Sequence, residues 1–327
     1  MLNTIQTLDA IVTPTVVALF DEANKQISQT LQYKNLGYAD YEPSFNAPAF
    51  QAISGSTEAV LTLEGEAYST EDLLQNYKTT ITIQKYTKMM LITEELVHWI
   101  QKGNKEKIQE FKDVVKACNN GLNAKVDIEA AKLFYLGFGT TFQAGGDGVA
   151  LFAYNHPSPD SSVSVQRNIF TAAEDHLPLT RDNLTLAVQR LNRFKDIRGI
   201  QLMKALRPKV IIARENEENI KQILYSSQGP TTANLGMNPM ATANSKITYE
   251  VADWIPQTTY STYWFLIDED RASRSLYMVW GWRPRVNAES NYSNGTLYKA
   301  GSVYFKPGFR DWRFSFASKG DNSAISL

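Results

Sequence analysis

Between Asn104 and Phe134 the chain carries one continuous apolar stripe: Ile108, Phe111, Val115, Cys118, Leu122, Val126, Ala130 and Leu133 recur at three- and four-residue intervals. At 1.5 Å per residue, a helix of this length extends about 45 Å, more than the width of a small domain. Gly121, in the Asn119–Asn120–Gly121 triplet, costs such a helix roughly 1 kcal/mol and predicts a bend near its middle.

The segments around it have other periods. Residues 14–32 read as a helix opened by Pro14, with Val17, Phe20, Ala23, Ile27 and Leu31 at helical spacing. Residues 33–56, rich in Gly, Pro, Ser and aromatics, read as an extended, loosely attached arm. Residues 57–92 read as a long two-stranded ribbon, 57–68 and 77–92, rich in Thr, Val, Ile and Tyr. Ile81 and Ile83 share one face with Lys85, while Thr80, Thr82, Gln84, Tyr86 and Lys88 share the other. Neither face promises a strong core, and an isolated hairpin is marginal in water, so the ribbon is expected to rest on another chain. A short helix at 93–102, capped by Thr93 and stopped by Gly103, leads into the long one.

Farther on, Thr180 caps a helix that buries Leu184, Ala187, Val188, Leu191 and Phe194. KVIIA (209–213) reads as a buried strand and 215–225 as a helix, while the segment 226–245 is a loop long enough to be functional. Strand-rich segments then begin at Ile247, Tyr263, Ser275, Thr296 and Asp311. The chain is α+β, and its 327 residues suit two lobes.

Composition narrows the classes. Hydrophobic residues at 43% and charged residues at 20% describe a foldable, soluble chain. The net charge of −1 lacks the basic excess of a dedicated nucleic-acid binder. One cysteine, Cys118, excludes an intrachain disulfide and a thiolate metal cage; its place on the apolar stripe reads as core. No signal peptide or membrane-length run is evident, so a cytoplasmic protein is expected and the sequons at Asn291 and Asn294 read as chance matches.

Groups able to do chemistry are scattered. His98, His156 and His176 form no HxxH or HExxH, and His156, between Asn155 and Pro157, reads as a turn histidine rather than a general base. Gly145, Gly146 and Gly148 around Asp147 lack the spacing of a phosphate loop; they read as a tight turn with positive φ, Asp147 bonding its own backbone. Asp268, Glu269 and Asp270 end an apolar strand where Mg²⁺ could sit, but without a phosphate loop or nucleophile they read as a solvated turn. No GxSxG is present.

Several segments, taken in order, resemble tailed-phage major capsid proteins, the Mu-like major head subunits in particular. DGVALFAYNHP (147–157) is similar to that family's Asp-Gly-x-x-Leu-Phe-x-x-x-His-Pro segment. YTKMMLITEELVHW (86–99) resembles its ribbon-exit strand and short helix, and the helix from Asn104 resembles its spine helix. LTRDNLTLAVQRL (179–191), RPKVIIARENEENIKQIL (207–224), YWFLIDED (263–270) and FRDWRFSFAS (309–318) follow in the family's order. The likeness spans roughly residues 40–320, and the ordered set, not any single motif, is specific.

The resemblance implies the Hong Kong 97-type capsid fold: an N-terminal helix and arm (1–56), an extended loop (57–92), a peripheral domain with the spine helix (93–178), an axial domain (179–285) and strands returning to the peripheral domain (286–327). It implies a structural protein and not an enzyme, with no catalytic, cofactor-binding or metal-binding residue. The expected role is the major capsid subunit of a tailed phage, forming pentamers and hexamers that close into an icosahedral head around double-stranded DNA. Expected partners are further copies of itself, a separately encoded scaffold (the arm begins soon after Met1), a portal and decoration proteins; DNA is packaged without sequence-specific contacts, and no membrane is involved. Assembly is expected in the host cytoplasm, ending in the virion. The loop 226–245 is expected to line a capsomer centre. Some relatives crosslink a loop lysine to a neighbour's asparagine; Lys78 and Lys85 lie in or near the ribbon, but no motif marks their partners and no crosslink is carried over. Two alternatives stand beside this reading: an encapsulin-type shell around protein cargo, and, from another class, a metal-dependent transferase using Asp268 and Asp270.

Overall fold

A computed structural model of the chain describes residues 2–27, 30–53, 61–62, 74–170, 176–205, 207–226, 238, 240, 247–293 and 296–321. In chain order the elements are α1 (Leu2–Ile27), β1 (Ala39–Tyr41), β2 (Ala49–Ile53), β3 (Gln75–Thr80), β4 (Gln84–Thr93), α2 (Glu94–Gln101) and α3 (Lys105–Tyr135). They continue with α4 (Arg181–Leu191), β5 (Pro208–Ile212), α5 (Glu217–Tyr225), β6 (Thr248–Val251), α6 (Gln257–Tyr260), β7 (Trp264–Asp268), α7 (Glu269–Ser275), β8 (Leu276–Ser293), β9 (Thr296–Phe309) and β10 (Ser315–Ser318).

The apolar stripe becomes α3. Asn104 starts it, its Oδ1 accepting from Glu106 N (3.0 Å) and Lys107 N (3.3 Å), as an N-cap residue does for the first orphan donors of a helix. Phe111, Val115, Cys118, Leu122, Val126, Ala130 and Leu133 are buried along one face. The helix runs unbroken through Gly121, where a bend was expected. That glycine instead admits a neighbour: a Cβ there would meet Lys88 Nζ at 2.6 Å, and the ammonium reaches Ala117 O at 3.4 Å.

Two four-stranded sheets flank this helix, in the orders β1-β8-β9-β4 and β10-β7-β5-β6. In the first, β1 joins β8 in parallel, while β8, β9 and β4 are antiparallel. Residues of α1 contact β8, and α3 lies against β4 and β9. The C-terminal end of α3 reaches the second sheet, where Phe134 packs on Phe265 of β7 with ring centroids 5.5 Å apart. One continuous buried core thus runs from Val12 to Ala317 through both sheets.

Three expectations are corrected here. Pro14 does not open α1, which begins at Leu2; Val12, Val16, Phe20 and Ala23 keep the buried period across the proline, whose ring lies on the exposed side. Helical residues end at Ile27, not 32, because Gln32–Lys34 form a 3₁₀ turn. The buried Asp127 carboxylate of α3 fixes that turn, accepting from Gln32 N (3.2 Å) and Tyr33 N (3.0 Å). Burial pushes the Asp127 carboxyl up, against the pull of these two donors.

Nor is the described part of the arm loose. Tyr33, Leu36 and Tyr38 are buried, and β1 is pinned to β8 by Asp40, which accepts from Trp280 Nε1 (2.8 Å) and Tyr33 Oη (3.0 Å) and faces Arg283 Nη2 (3.2 Å).

The ribbon's second strand divides. Its first part, β3, pairs with β2 of the arm, while residues 84–93 form β4, the edge of the first sheet, in register with β9 from Gln84↔Phe305 to Thr93↔Thr296. Between them Ile81 N and Ile83 N donate to Pro48 O and Asn46 O, and both side chains are buried against Phe50 and Val279. This stretch therefore packs on its own chain. The expected first strand, 57–68, lies outside the described residues except for 61–62, as does most of the loop 226–245.

Candidate functional site

The acidic run at the end of β7 opens α7 and is not a solvated turn. Asp268 is buried, its Oδ1 accepting from Arg207 N (3.3 Å) and its Oδ2 lying 3.3 Å from Arg271 Nε. Burial pushes this carboxyl up, with the Arg207 N–H and the Arg271 charge pulling the other way. Glu269 bridges Arg207 (2.9 Å) and Lys209, and Asp270 lies 3.7 Å from Arg207. Arg271 also donates from Nη1 to Leu191 O at 3.1 Å, tying α7 to the end of α4. The carboxylates thus face cations of their own chain. Among the described residues no three His, Cys, Asp or Glu side chains are grouped to hold a metal ion.

The glycine-rich stretch is a turn, as its composition suggests. Gly145 N donates to Val149 O (2.7 Å), Gly148 N to Gly145 O (3.0 Å) and Val149 N to Asp147 Oδ1 (3.1 Å); Gly148 has φ +77°. Gly146 serves close approach: its N–H donates to Thr79 Oγ1 at 2.9 Å, and a Cβ would meet the Lys78 carbonyl at 2.8 Å. The turn therefore holds the base of the ribbon.

His156 is not a surface turn histidine. It is 1% exposed, with Nδ1 2.8 Å from Asp147 Oδ2 and Nε2 3.2 Å from Asn168 Oδ1. Its ring stacks on Trp312, centroids 4.1 Å apart and planes 13° from parallel. Asn168 is fully buried and its orientation is set by the backbone: Nδ2 donates to Leu151 O (2.8 Å), and Oδ1 accepts from Ala153 N (2.9 Å). Beside Asp147 and Trp312 the free space is about 10 Å³, room for one water molecule and for no substrate. The cluster locks the turn to the Trp312–Phe314 3₁₀ turn just before β10. Sequence reasoning missed Asn168, whose role exists only once residues 153, 156 and 168 meet in space.

The other candidates lie apart from it. His98 is exposed on α2 beside Trp99, and His176 is buried with Nδ1 3.4 Å from Asp321 Oδ1. Cys118 is buried, its Sγ 3.7 Å from Lys88 O; burial pushes the thiol up, with Lys88 and the Gly301 backbone pulling the other way. Of the described residues, no helix is long and apolar enough to cross a membrane.

What the molecule does expose is one face of its first sheet. Met90 and Ile92 of β4 point to α3 and are buried; Met89 and Leu91 point away and are 56% and 57% exposed. Cross-strand register places Met89 beside Ala300, Leu91 beside Tyr298, Thr87 beside Ser302 and Lys85 beside Tyr304. Trp282 continues this face, 4.6 Å from the Tyr304 ring, with Lys85 Nζ 5.8 Å and the Arg285 guanidinium 4.3 Å from its own. A one-sided antiparallel sheet normally alternates apolar and polar residues, so the unbroken run Met89–Met90–Leu91–Ile92 was the signal for an apolar outer face.

Known proteins share this architecture. The profile of a family described as phage capsid protein matches residues 76–317. No curated protein matches the chain. Among solved structures, the chain is similar to the virus-like particle from Pyrococcus furiosus (8% identity, 93% of this chain and 98% of that one, TM-score 0.50). It is also similar to that of Mycobacterium phage Adephagia (9% identity, 88% and 89% covered, TM-score 0.50). The capsid of Myoviridae phage XM1 matches at 15% identity over 88% and 91%, with a TM-score of 0.49. At these identities the likeness is one of fold.

Proposed function

Because this chain belongs to the phage capsid protein family, we propose that it is the major head subunit of a tailed phage, closing as pentamers and hexamers into an icosahedral shell around double-stranded DNA. It is a structural capsid protein with the Hong Kong 97-type fold. The observation that carries the finer reading is the family match, which spans β3 to β10 and so takes in both sheets and the spine helix α3.

The division into arm (1–56), extended loop (57–92), peripheral domain (93–178), axial domain (179–285) and return strands (286–327) belongs to this proposal, with 226–245 at a capsomer centre. Copies of the chain are its main partners, joined by a scaffold, a portal and decoration proteins in the host cytoplasm. A net charge of −1 suits a container that holds DNA without binding it tightly. The buried His156 cluster and the ion-paired Asp268 give a subunit stiff enough to repeat, with no role in chemistry.

A shell around protein cargo is the second reading, supported by the similarity to the Pyrococcus furiosus virus-like particle. Content separates the two. Particles from infected or co-expressing cells should carry nuclease-protected double-stranded DNA; particles filled with one protein and free of DNA would favour the cargo shell.

A further inference from the structure

Charge is unevenly distributed along this chain. Residues 35–77 hold seven carboxylates, Asp40, Glu42, Glu58, Glu64, Glu66, Glu71 and Asp72, and no lysine or arginine, in a chain whose net charge is only −1. Asp40 and Glu42 find Arg283 within their own subunit. The remaining five fall in 57–72, interleaved with Val60, Leu61 and Leu63. That stretch is at once acidic and apolar, and it calls for a surface that is basic and apolar.

The outer face of the β8–β9–β4 sheet has that composition. Lys85 and Arg285 flank Trp282 and Tyr304 at one end, Met89 and Leu91 stand exposed toward the other, and no described side chain in these rows is a carboxylate. The Trp282 indole N–H is withdrawn from solvent yet has no acceptor in the chain. Nearer the β3 end, the same side of the sheet is closed by Ile81 and Ile83 of its own chain; the Met89–Leu91 end is not.

We propose that this face receives residues 57–72 of a second copy, Met89 and Leu91 taking its apolar side chains while Lys85 and Arg285 face its carboxylates. The proposal rests on the capsid reading, in which copies abut. An apolar patch bordered by cations is the form an interaction surface takes, and complementary charge selects the partner and its register. Attraction between half-exposed charges is screened as ionic strength rises, so the contact weakens with salt while its apolar part persists.

Two experiments test it. A labelled peptide spanning residues 57–72 should bind the unassembled subunit saturably up to millimolar concentration. Binding should weaken at least tenfold with Lys85→Glu plus Arg285→Glu, and again with Met89→Ser plus Leu91→Ser, both variants melting like the parent. Absence of binding to the parent, or equal binding to folded variants, overturns the proposal. In assembly, the Lys85→Glu/Arg285→Glu chain and a Glu64→Lys/Glu66→Lys chain should each stay small alone and co-assemble when mixed, because each then presents the charge the other needs. Rescue only when all four changes share one chain would place the contact within a subunit and overturn the second-copy occupant. Peptide binding by a parent that forms no particles would refute the capsid reading while leaving the face and its ligand in place.

Discussion

Removing His156 should be among the costliest single changes in this protein. His156→Ala deletes a fully buried ring, its bond to Asp147 Oδ2 at 2.8 Å and its stack on Trp312. The stack is worth about 0.5–1.5 kcal/mol beyond the area it buries. The Asp147 side chain, 6% exposed, is then left without its ring partner, at about 1–3 kcal/mol. With the cavity added, a loss of about 3–5 kcal/mol is expected, a large share of a typical domain's stability. Because part of that loss is the orphaned partner, Asp147→Ala should cost less in the His156→Ala background than in the parent, by about 1–3 kcal/mol. Urea unfolding of the unassembled parent, both single variants and the double variant gives all four corners of the cycle. Additivity within about 0.5 kcal/mol, or a His156→Ala cost under about 1 kcal/mol, would refute the lock between the turn and the Trp312–Phe314 segment.

The turn glycines should differ from one another. Gly148→Ala, at φ +77° with open space around it, should cost about 1 kcal/mol, whereas Gly146→Ala should cost more, about 1–3 kcal/mol, because its Cβ meets the Lys78 backbone; melting both subunits ranks them. Burial opposes the charge of Glu129, but bonds from Lys125 (2.6 Å) and Lys132 (2.8 Å) outweigh it and hold the carboxyl below its ordinary value. A carboxyl lowered in this way stabilises the fold above its ordinary pKa and loses that contribution as pH falls through the lowered one. Glu129→Gln should therefore be less stable than the parent at pH 7, with the gap closing below about pH 4; a gap independent of pH in urea unfolding would contradict the pairing.

Local signals in this chain were legible and distant pairings were not. The stripe from Asn104 to Phe134 became Lys105–Tyr135, and Thr93 and Thr180 cap α2 and α4 as their positions suggest, accepting from Leu96 N and Asn183 N. Each of those features is decided within a few residues. The fate of residues 77–92 was not, because the partner of β4 is some two hundred residues away and the partner of β3 lies in the arm. Pro14 misled because a proline on the exposed side of a helix leaves the buried period intact. Asp268 looked like a solvated turn residue since Arg207 and Arg271, which allow it to be buried, are recognisable only in the folded chain.

The central claim is that this chain encloses space by repeating itself. Sedimentation velocity of the purified full-length protein, alone and with its scaffold, followed by negative-stain imaging of the fastest fraction, tests it most directly. Closed particles of megadalton mass and uniform diameter are predicted; a protein that remains a monomer or small oligomer under every assembly condition, scaffold included, would contradict it.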